Sequence, residues 1–420
     1  MRRTALWCIG LLLAAASGVR AQGLTMQMSN GWTFTFTGNV NAFALYTDGK
    51  VNSGGAITGG LVPAEKVTRI RTGLLPGFAQ FEAAGKEGPL DLKVHFGFAP
   101  QIQTGGVHDN FGFGTQAGAQ IDMREIYLTA GGSWGQILAG RALEPFLRQN
   151  ILTDMTLFGV GASGGGFPAA GTTLGRIGFG YVYPNFSAMV AYSTPTGSPF
   201  QLTLAAVDPS AICSGGCPNL GAVATATNVL TGIRIPRFEA EATLDLIAAK
   251  HPGANNLSVW VNGMVQPTYR SVTPIASDTI TTVGGAGAGV KLTLAGIQLM
   301  GSGYWGRGLG TTLMFSQALD AAGARRTSWG YIGQAMYTPV GSKVTFAASY
   351  GLSRLQTTIN DPPTATNPLV KYNVAGDGMV TYQWTKSLRW VFEYTWARAR
   401  AHSGAQTTSN QGATGLMLFF

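Results

Sequence analysis

Leu90-Asp91-Leu92-Lys93-Val94-His95-Phe96-Gly97-Phe98-Ala99-Pro100-Gln101-Ile102-Gln103 alternates with a period of two. Leu90, Leu92, Val94, Phe96, Phe98 and Ile102 share one face, and Asp91, Lys93, His95, Gln101 and Gln103 share the other. Successive side chains of an extended chain point to opposite sides, so this is an amphipathic strand. It is also a long one. Globular strands run to about 5–6 residues, whereas a tilted strand that crosses a bilayer needs roughly 9–11.

The pattern recurs along the chain. In 237–246, Phe238, Ala240, Ala242, Leu244 and Leu246 oppose Arg237, Glu239, Glu241, Thr243 and Asp245. In 370–385, Val370, Tyr372, Val374, Val380, Tyr382 and Trp384 oppose Lys371, Asn373, Asp377, Thr381 and Gln383. Sixteen such segments are predicted, at about 32–46, 70–84, 89–103, 121–131, 134–142, 173–184, 186–195, 236–249, 257–270, 283–295, 297–307, 328–338, 343–355, 370–385, 388–400 and 412–420. Short connectors (85–88, 131–133, 184–185, 339–342, 386–387) alternate with long ones (47–69, 104–120, 143–172, 196–235, 308–327, 356–369, 401–411). Short turns on one rim and long loops on the other are the pattern of a transmembrane barrel. The predicted fold is therefore all-β, a transmembrane antiparallel β-barrel of about 16 strands. A barrel of that size is too wide to be filled by its own side chains and encloses an aqueous channel. Trp32, Tyr46, Tyr183, Trp305, Trp329, Trp384 and Trp396 lie near strand ends, where interfacial aromatic girdles form. A secreted β-sandwich or propeller would leave both the strand lengths and the alternating connectors unexplained.

The amino terminus is read separately. Arg2 and Arg3 precede an apolar stretch, Ala5 to Ala16, and Val19-Arg20-Ala21 supplies small residues at an A-x-A-like cleavage site. Residues 1–21 are expected to be a signal peptide, leaving 22–420 as the barrel domain, with Gln22 first. The run falls short of the roughly 18 residues a spanning helix needs. Losing Arg2, Arg3 and Arg20 lowers the net charge from +9 to +6, dispersed without a basic run, which excludes a nucleic-acid surface. Charged residues make up only 11% of the chain against 45% hydrophobic, so disorder is excluded too. Cys213 and Cys217, in C-S-G-G-C, are expected to pair as a local loop disulfide in an oxidising compartment.

Two stretches resemble the Gram-negative general porin family, the outer-membrane diffusion porins. R-I-G-F-G-Y-V-Y-P-N-F-S-A-M-V-A-Y-S, Arg176 to Ser193, is similar to the hairpin that follows the constriction loop in that family, with Pro-Asn-Phe-Ser as its periplasmic turn. R-E-I-Y-L-T-A-G-G-S-W-G-Q-I-L-A-G-R, Arg124 to Arg141, is similar to the preceding hairpin. The terminal Gly415-Leu416-Met417-Leu418-Phe419-Phe420 resembles the signal read by the barrel-insertion machinery, with Phe420 as its last aromatic. The family's Pro-Glu-Phe-Gly-Gly-like loop tip is absent, and Asp154-Met155-Thr156-Leu157-Phe158-Gly159 stands in its place.

The resemblance implies a long loop folded into the pore, a homotrimer contacting through the first five strands and the last, and residence in the bacterial outer membrane. It implies passive diffusion of ions and small hydrophilic solutes. It further implies basic wall residues (Arg69, Arg71, Arg124, Arg141, Arg176) facing acids on the loop (Glu144, Asp154), with a mild anion preference. In strand 124–130, hydrophobicity would turn Ile126, Leu128 and Ala130 to lipid, whereas the resemblance puts them with Arg124 on the lumen face. We follow the resemblance as the expectation.

No cofactor or metal is expected, since no metal-ligand spacing appears and the run 284–289 lacks the Lys-Ser/Thr of a phosphate loop. Of His95, His108, His251 and His402 only His95 falls in a predicted strand, so an enzyme is not expected. A substrate-specific channel and a barrel-type hydrolase remain the alternatives.

Overall fold

The structure, a computed structural model, describes residues 23–29, 31–102, 121–163, 172–213, 229–230, 234–247, 254–272 and 275–420. The expected signal peptide, Cys217, His108 and His251 lie outside the described residues. The first half of the chain forms β1 (Leu24–Gln27), β2 (Thr33–Ser53), β3 (Lys66–Arg71), β4 (Phe78–Glu87), β5 (Leu90–Pro100), β6 (Ile121–Gly132), β7 (Gly135–Leu143), β8 (Phe186–Ser193), β9 (Phe200–Val207), β10 (Ile212–Cys213) and β11 (Val229–Leu230). There follow β12 (Arg237–Ile247), β13 (Asn256–Val272), β14 (Ile275–Leu294), β15 (Ile297–Arg307), β16 (Thr327–Tyr337), β17 (Val344–Leu355), β18 (Val370–Gln383), β19 (Leu388–Ala401) and β20 (Gln406–Phe419).

All but β10 and β11 belong to one antiparallel sheet, which closes because β2 pairs with β20 from Asn39↔Phe419 to Ser53↔Gln406. Two pieces add no wall position. β3 pairs with Phe43–Asp48 of β2 and β4 with Thr33–Asn39, so together they are one strand broken at 72–77. β1 pairs with Thr33–Phe36 and continues the line of β20 beyond its end. The closed wall therefore has sixteen strands, as expected. Phe420 completes the seam: its N–H donates to Gly38 O at 3.0 Å, its carbonyl accepts from Gly38 N at 2.9 Å, and its ring lies 5.2 Å from that of Phe36.

Polarity is inverted relative to a water-soluble sheet. Phe346, Tyr350, Phe392, Tyr394, Leu416 and Leu418 are exposed on the outside, while Asp377, Glu393 and Gln411 are buried on the inside. An apolar band of this extent costs nothing only against lipid. Inside, the polar wall is covered by segments 54–65, 144–163, 172–185 and 308–326, which contribute Leu61, Phe146, Phe179 and Phe315 to the buried cluster.

Two segments differ from expectation and offset each other in the count. Residues 173–184 form no strand; Gly175, Gly178 and Gly180 have φ of +55°, +79° and +153°, and the segment turns repeatedly inside the barrel. Its alternating hydrophobicity imitates a strand, yet Ile177, Phe179, Tyr181 and Val182 are all buried. Conversely, β9 lies within the expected long connector 196–235. Its inward residues run Gln201, Thr203, Ala205 and Val207, so the polar alternation marks only its first half. The turn preceding it spans 194–199, and Pro184-Asn185 is the end of the inner loop and not a rim turn.

The face of β6 also corrects the expectation. Ile126 and Leu128 are 42% and 50% exposed, while Glu125 and Tyr127 are 1% and 3%. Hydrophobicity gave the right answer and the resemblance the wrong one. The physical reason is a bulge: β5 pairs Gly97 with Glu125 but Phe98 with Met123, so Arg124 is the extra residue. A bulge re-phases a strand, so Arg124 and Glu125 can both face inward while Ile126 faces out. Ile126→Arg should therefore lose about 2–4 kcal/mol of stability in lipid, read by guanidinium unfolding of the reconstituted barrel. An unchanged midpoint would return Ile126 to the lumen.

Candidate functional site

The loop 144–185 starts where β7 ends and returns where β8 begins, with Glu144 N donating to Asn185 O at 2.9 Å. Its described residues, 144–163 and 172–185, lie in the barrel interior, and their anchors are inward-facing residues of distant strands. β12 supplies three in alternation, Arg237, Glu239 and Glu241. Arg237 pairs with Glu144 and lies 2.9 Å from Glu239. Glu239 accepts from Phe146 N at 2.9 Å, and Glu241 takes Arg148 at 2.6 Å and Gln149 at 3.1 Å. Leu147 packs on β14 at Gly287, where a Cβ would meet its Cδ2 at 2.6 Å, so glycine permits the close approach.

Helix α1 (Arg148–Thr153) follows, and Asn150 donates to Ser302 of β15 at 2.8 Å. Gln334 of β16 then bonds at both ends of its amide, accepting from Met155 N at 3.0 Å and donating to Thr153 O at 2.5 Å. At the far wall, Glu393 of β19 accepts from Val160 N (2.7 Å) and Gly161 N (2.5 Å). Gln411 of β20 donates to Gly161 O at 2.8 Å. The return passes the broken strand, where Leu74 N donates to Gly159 O at 3.0 Å and Arg71 to Thr172 O at 2.9 Å. Break 72–77 exposes backbone groups that a continuous strand would use, and the loop takes them.

A polar hub fixes the loop to itself. Asp154 accepts from Thr156 N and Oγ1 (2.9 and 2.7 Å), Tyr181 Oη (2.6 Å) and Arg176 N (3.3 Å). Burial still raises the Asp154 carboxyl above its usual range, against those hydrogen bonds. Burial likewise lowers the Arg176 guanidinium, opposed by Asp377, Asp154 and Glu393 nearby. A second loop, 308–326, seals the first, with Tyr183 N donating to Thr312 O at 2.7 Å. It is fixed in turn by Arg326, which binds Asp361 at 2.5 Å.

The expected site residues separate into groups. Arg69 faces inward opposite Leu45, with a third of its side chain exposed and Glu65 at 3.7 Å. Arg71 also faces inward, and Arg124 does so through the bulge, 2.8 Å from Asp122 and 5.6 Å from the Phe186 ring. Arg124 lines a small cavity of about 30 Å³ with Leu74, Phe78, Leu157 and Tyr183. Arg141 corrects the expectation: it pairs with Ile126 and Ala188, both outward, so it stands on the lipid face. Arg176 is also corrected, because it lies on the loop and not on the wall, donating to Ala375 O at 2.5 Å. Glu144 and Asp154 are on the loop as expected, but both are buried and bonded. Cys213 falls in β10, paired with Val229; the disulfide itself lies outside the described residues.

Sequence reasoning placed Arg237, Glu239 and Glu241 on polar strand faces without recognising them as anchors, and it did not single out Glu393. The signal available was charge on an inward face that spans hydrocarbon, where an unpaired charge is costly.

Sixteen closed strands with an apolar exterior and a loop tied across the interior define an outer-membrane β-barrel channel. The chain belongs to the Gram-negative porin family, whose profile matches residues 9–402. No curated protein matches it by sequence. Among solved structures it is similar to the outer membrane channel DcaP of Acinetobacter baumannii, at 13% identity over 94% of this chain and 99% of that one, with a TM-score of 0.68. It is also similar to OmpF of Salmonella typhi in complex with daunomycin, at 11% identity, 94% and 100% coverage and a TM-score of 0.55. OmpT of Vibrio cholerae in its trimer form shares 12% identity over 93% and 99%, with a TM-score of 0.52.

The anchors make a test. Removing Arg237 leaves Glu144 and Glu239 buried without their cation, and breaking such a pair costs about 3–5 kcal/mol. Arg237→Ala should lower the unfolding midpoint and open the start of the loop, so that residues 144–150 gain hydrogen exchange while β16–β20 do not. Unchanged exchange at 144–150 would remove Arg237 from the anchoring role.

Proposed function

We propose that the barrel is a water-filled pore for passive diffusion of ions and small hydrophilic solutes across the outer membrane. The observation that carries this reading is the wall itself: sixteen strands with a polar inner face, too many to fill with wall side chains alone. The loop 144–185 narrows that bore. Residues 1–21 act as the export leader and are removed, Phe420 is read by the insertion machinery, and the mature chain sits in outer-membrane lipid as a homotrimer. The trimer form among the similar structures supports the last point.

A mild anion preference belongs to the same proposal. Arg148 exposes 27% of its side chain while its partner Glu241 exposes 2%, so the cation is the half of that pair a permeating ion meets. Arg69 adds to it. Charges lining a narrow bore bias which ions enter. The inward acids Glu239, Glu241, Asp377 and Glu393 keep the preference small.

Planar-bilayer recording across a salt gradient tests this. Wild type should give ohmic steps with a reversal potential on the anion side, and Arg69→Ala with Arg148→Ala should move it toward cations. An unmoved potential would refute the charge assignment. Block of the current by a solute at micromolar concentration would favour a substrate-specific channel instead.

A further inference from the structure

The first and last wall strands meet along β2 and β20, and the inner side of that seam is where the loop tip lands. Thr47 of β2 and Gln411 of β20 are direct partners across it. The Gln411 amide serves both strands and the loop. Its Oε1 accepts from Thr47 Oγ1 at 3.2 Å, and its Nε2 donates to Gly161 O at 2.8 Å. One wall side chain thus spans the closing pair and carries the loop on its other end.

The tip is bonded from the last strands and from the first. On the β19–β20 side, Glu393 takes the N–H groups of Val160 and Gly161. The Phe158 ring there lies 5.2 Å from the Arg389 guanidinium and 5.9 Å from the Phe419 ring. On the β2 side the contact runs through the break at 72–77. These six residues stand opposite only three of β2, 40–42, so the break pushes inward and brings Gly73 and Leu74 to the tip. Leu74 N donates to Gly159 O at 3.0 Å, and Thr173 N donates to Gly73 O at 3.2 Å.

Inward amides of β2 hold the break in turn. Asn39 donates to Pro76 O at 3.1 Å, and Asn41 donates to Leu75 O and accepts from Gly73 N, both at 3.0 Å. Asn39 and Asn41 are themselves the seam partners of Phe419 and Met417. Residues 159–161 therefore reach both sides of the seam. Phe158, Val160, Glu393, Gln411, Asn39 and Asn41 are all buried. Bonds shielded from water in this way are costly to break, because each loss leaves a buried partner unsatisfied. The fit at Gly73 leaves no room for a side chain: a Cβ would run into Gly159 O and the Phe43 ring.

We propose that the loop tip, 158–161, is a clasp across the closing seam, a strap that keeps the first and last wall strands paired. The peptide ladder of β2 and β20 closes the wall, and the clasp limits its fraying from inside. It is completed only after the ladder has formed, because its two halves come from opposite ends of the chain. Thr47 and Gln411 are 364 residues apart. This role holds whether or not solutes pass the bore.

Hydrogen exchange of the full barrel in detergent micelles, read by mass spectrometry, tests the clasp in G73V, a substitution outside both seam strands. The added side chain displaces Gly159 and parts the tip from the β2 side. Amides of 158–161 and of the seam, 39–48 and 411–419, should exchange about tenfold faster than in wild type, with β13–β16 unchanged. R237A, which frees the start of the loop, should leave the seam as in wild type. Faster exchange of 158–161 with an unchanged seam overturns the proposal, since the tip would then rest on the wall without holding it. Unchanged exchange at both places overturns it too, as does a seam loosened equally by R237A or together with β13–β16. Should G73V not fold, F158A removes the ring against Phe419 from the loop side, and the same comparison decides.

Discussion

Hydrocarbon offers no hydrogen-bond partner to a peptide group, so a sheet inside it must have no edge. The pairing of β2 with β20 meets that requirement, and much else is arranged around it. The seam has to bring the two ends of the chain together after nearly four hundred residues. Phe420 bonds to Gly38 on both sides of its peptide unit, and β1 continues the last strand where β20 stops. At the closing contact Gly415 lies against β2 so tightly that a Cβ would meet Ala42 O at 2.3 Å and Phe43 Cδ1 at 2.5 Å. Glycine is there because the two backbones need the space.

Closure fixes two environments of opposite polarity, and each loop must be compatible with the inner one. The loop 144–185 is rich in apolar side chains and would not stay in water unaided. It is held by charged and amide groups that alternate along β12 and recur at Gln334, Glu393 and Gln411. These contacts are distributed over four strands around the circumference, so the loop ties distant parts of the wall together. The cost of burying Arg237, Glu144 and Glu239 is offset only because all three are together, which makes the arrangement cooperative. Outside, the same alternation yields an aromatic band that ends in arginines at one rim.

Period-two alternation made the architecture legible, because lipid on one side and polar lumen on the other enforce it at nearly every position. It failed where that contrast was missing. β9 turns Gln201 and Thr203 inward at one end but Ala205 and Val207 at the other, so its polar face covers only half its length. The segment 173–184 alternates without being a strand, since glycines at positive φ let it fold back on itself. Bulges are a second blind spot: nothing in Arg124-Glu125 announces that both point inward. Arg141 was misplaced by the same parity. Of the site, the loop and its acids were visible, but their partners were not. Glu144 meets Arg237, ninety-three residues later, and no local pattern encodes that distance.

The central claim is the proposal that loop 144–185 sets the width of the pore. Its two ends meet at Glu144 and Asn185, 2.9 Å apart, so residues 146–183 can be replaced by a short Gly-Ser linker without stretching β7 or β8. Single-channel conductance in planar bilayers, at one salt concentration, compares that variant with wild type. The account predicts a conductance severalfold larger for the variant. An equal conductance would mean that the loop does not define the constriction, and would contradict the account.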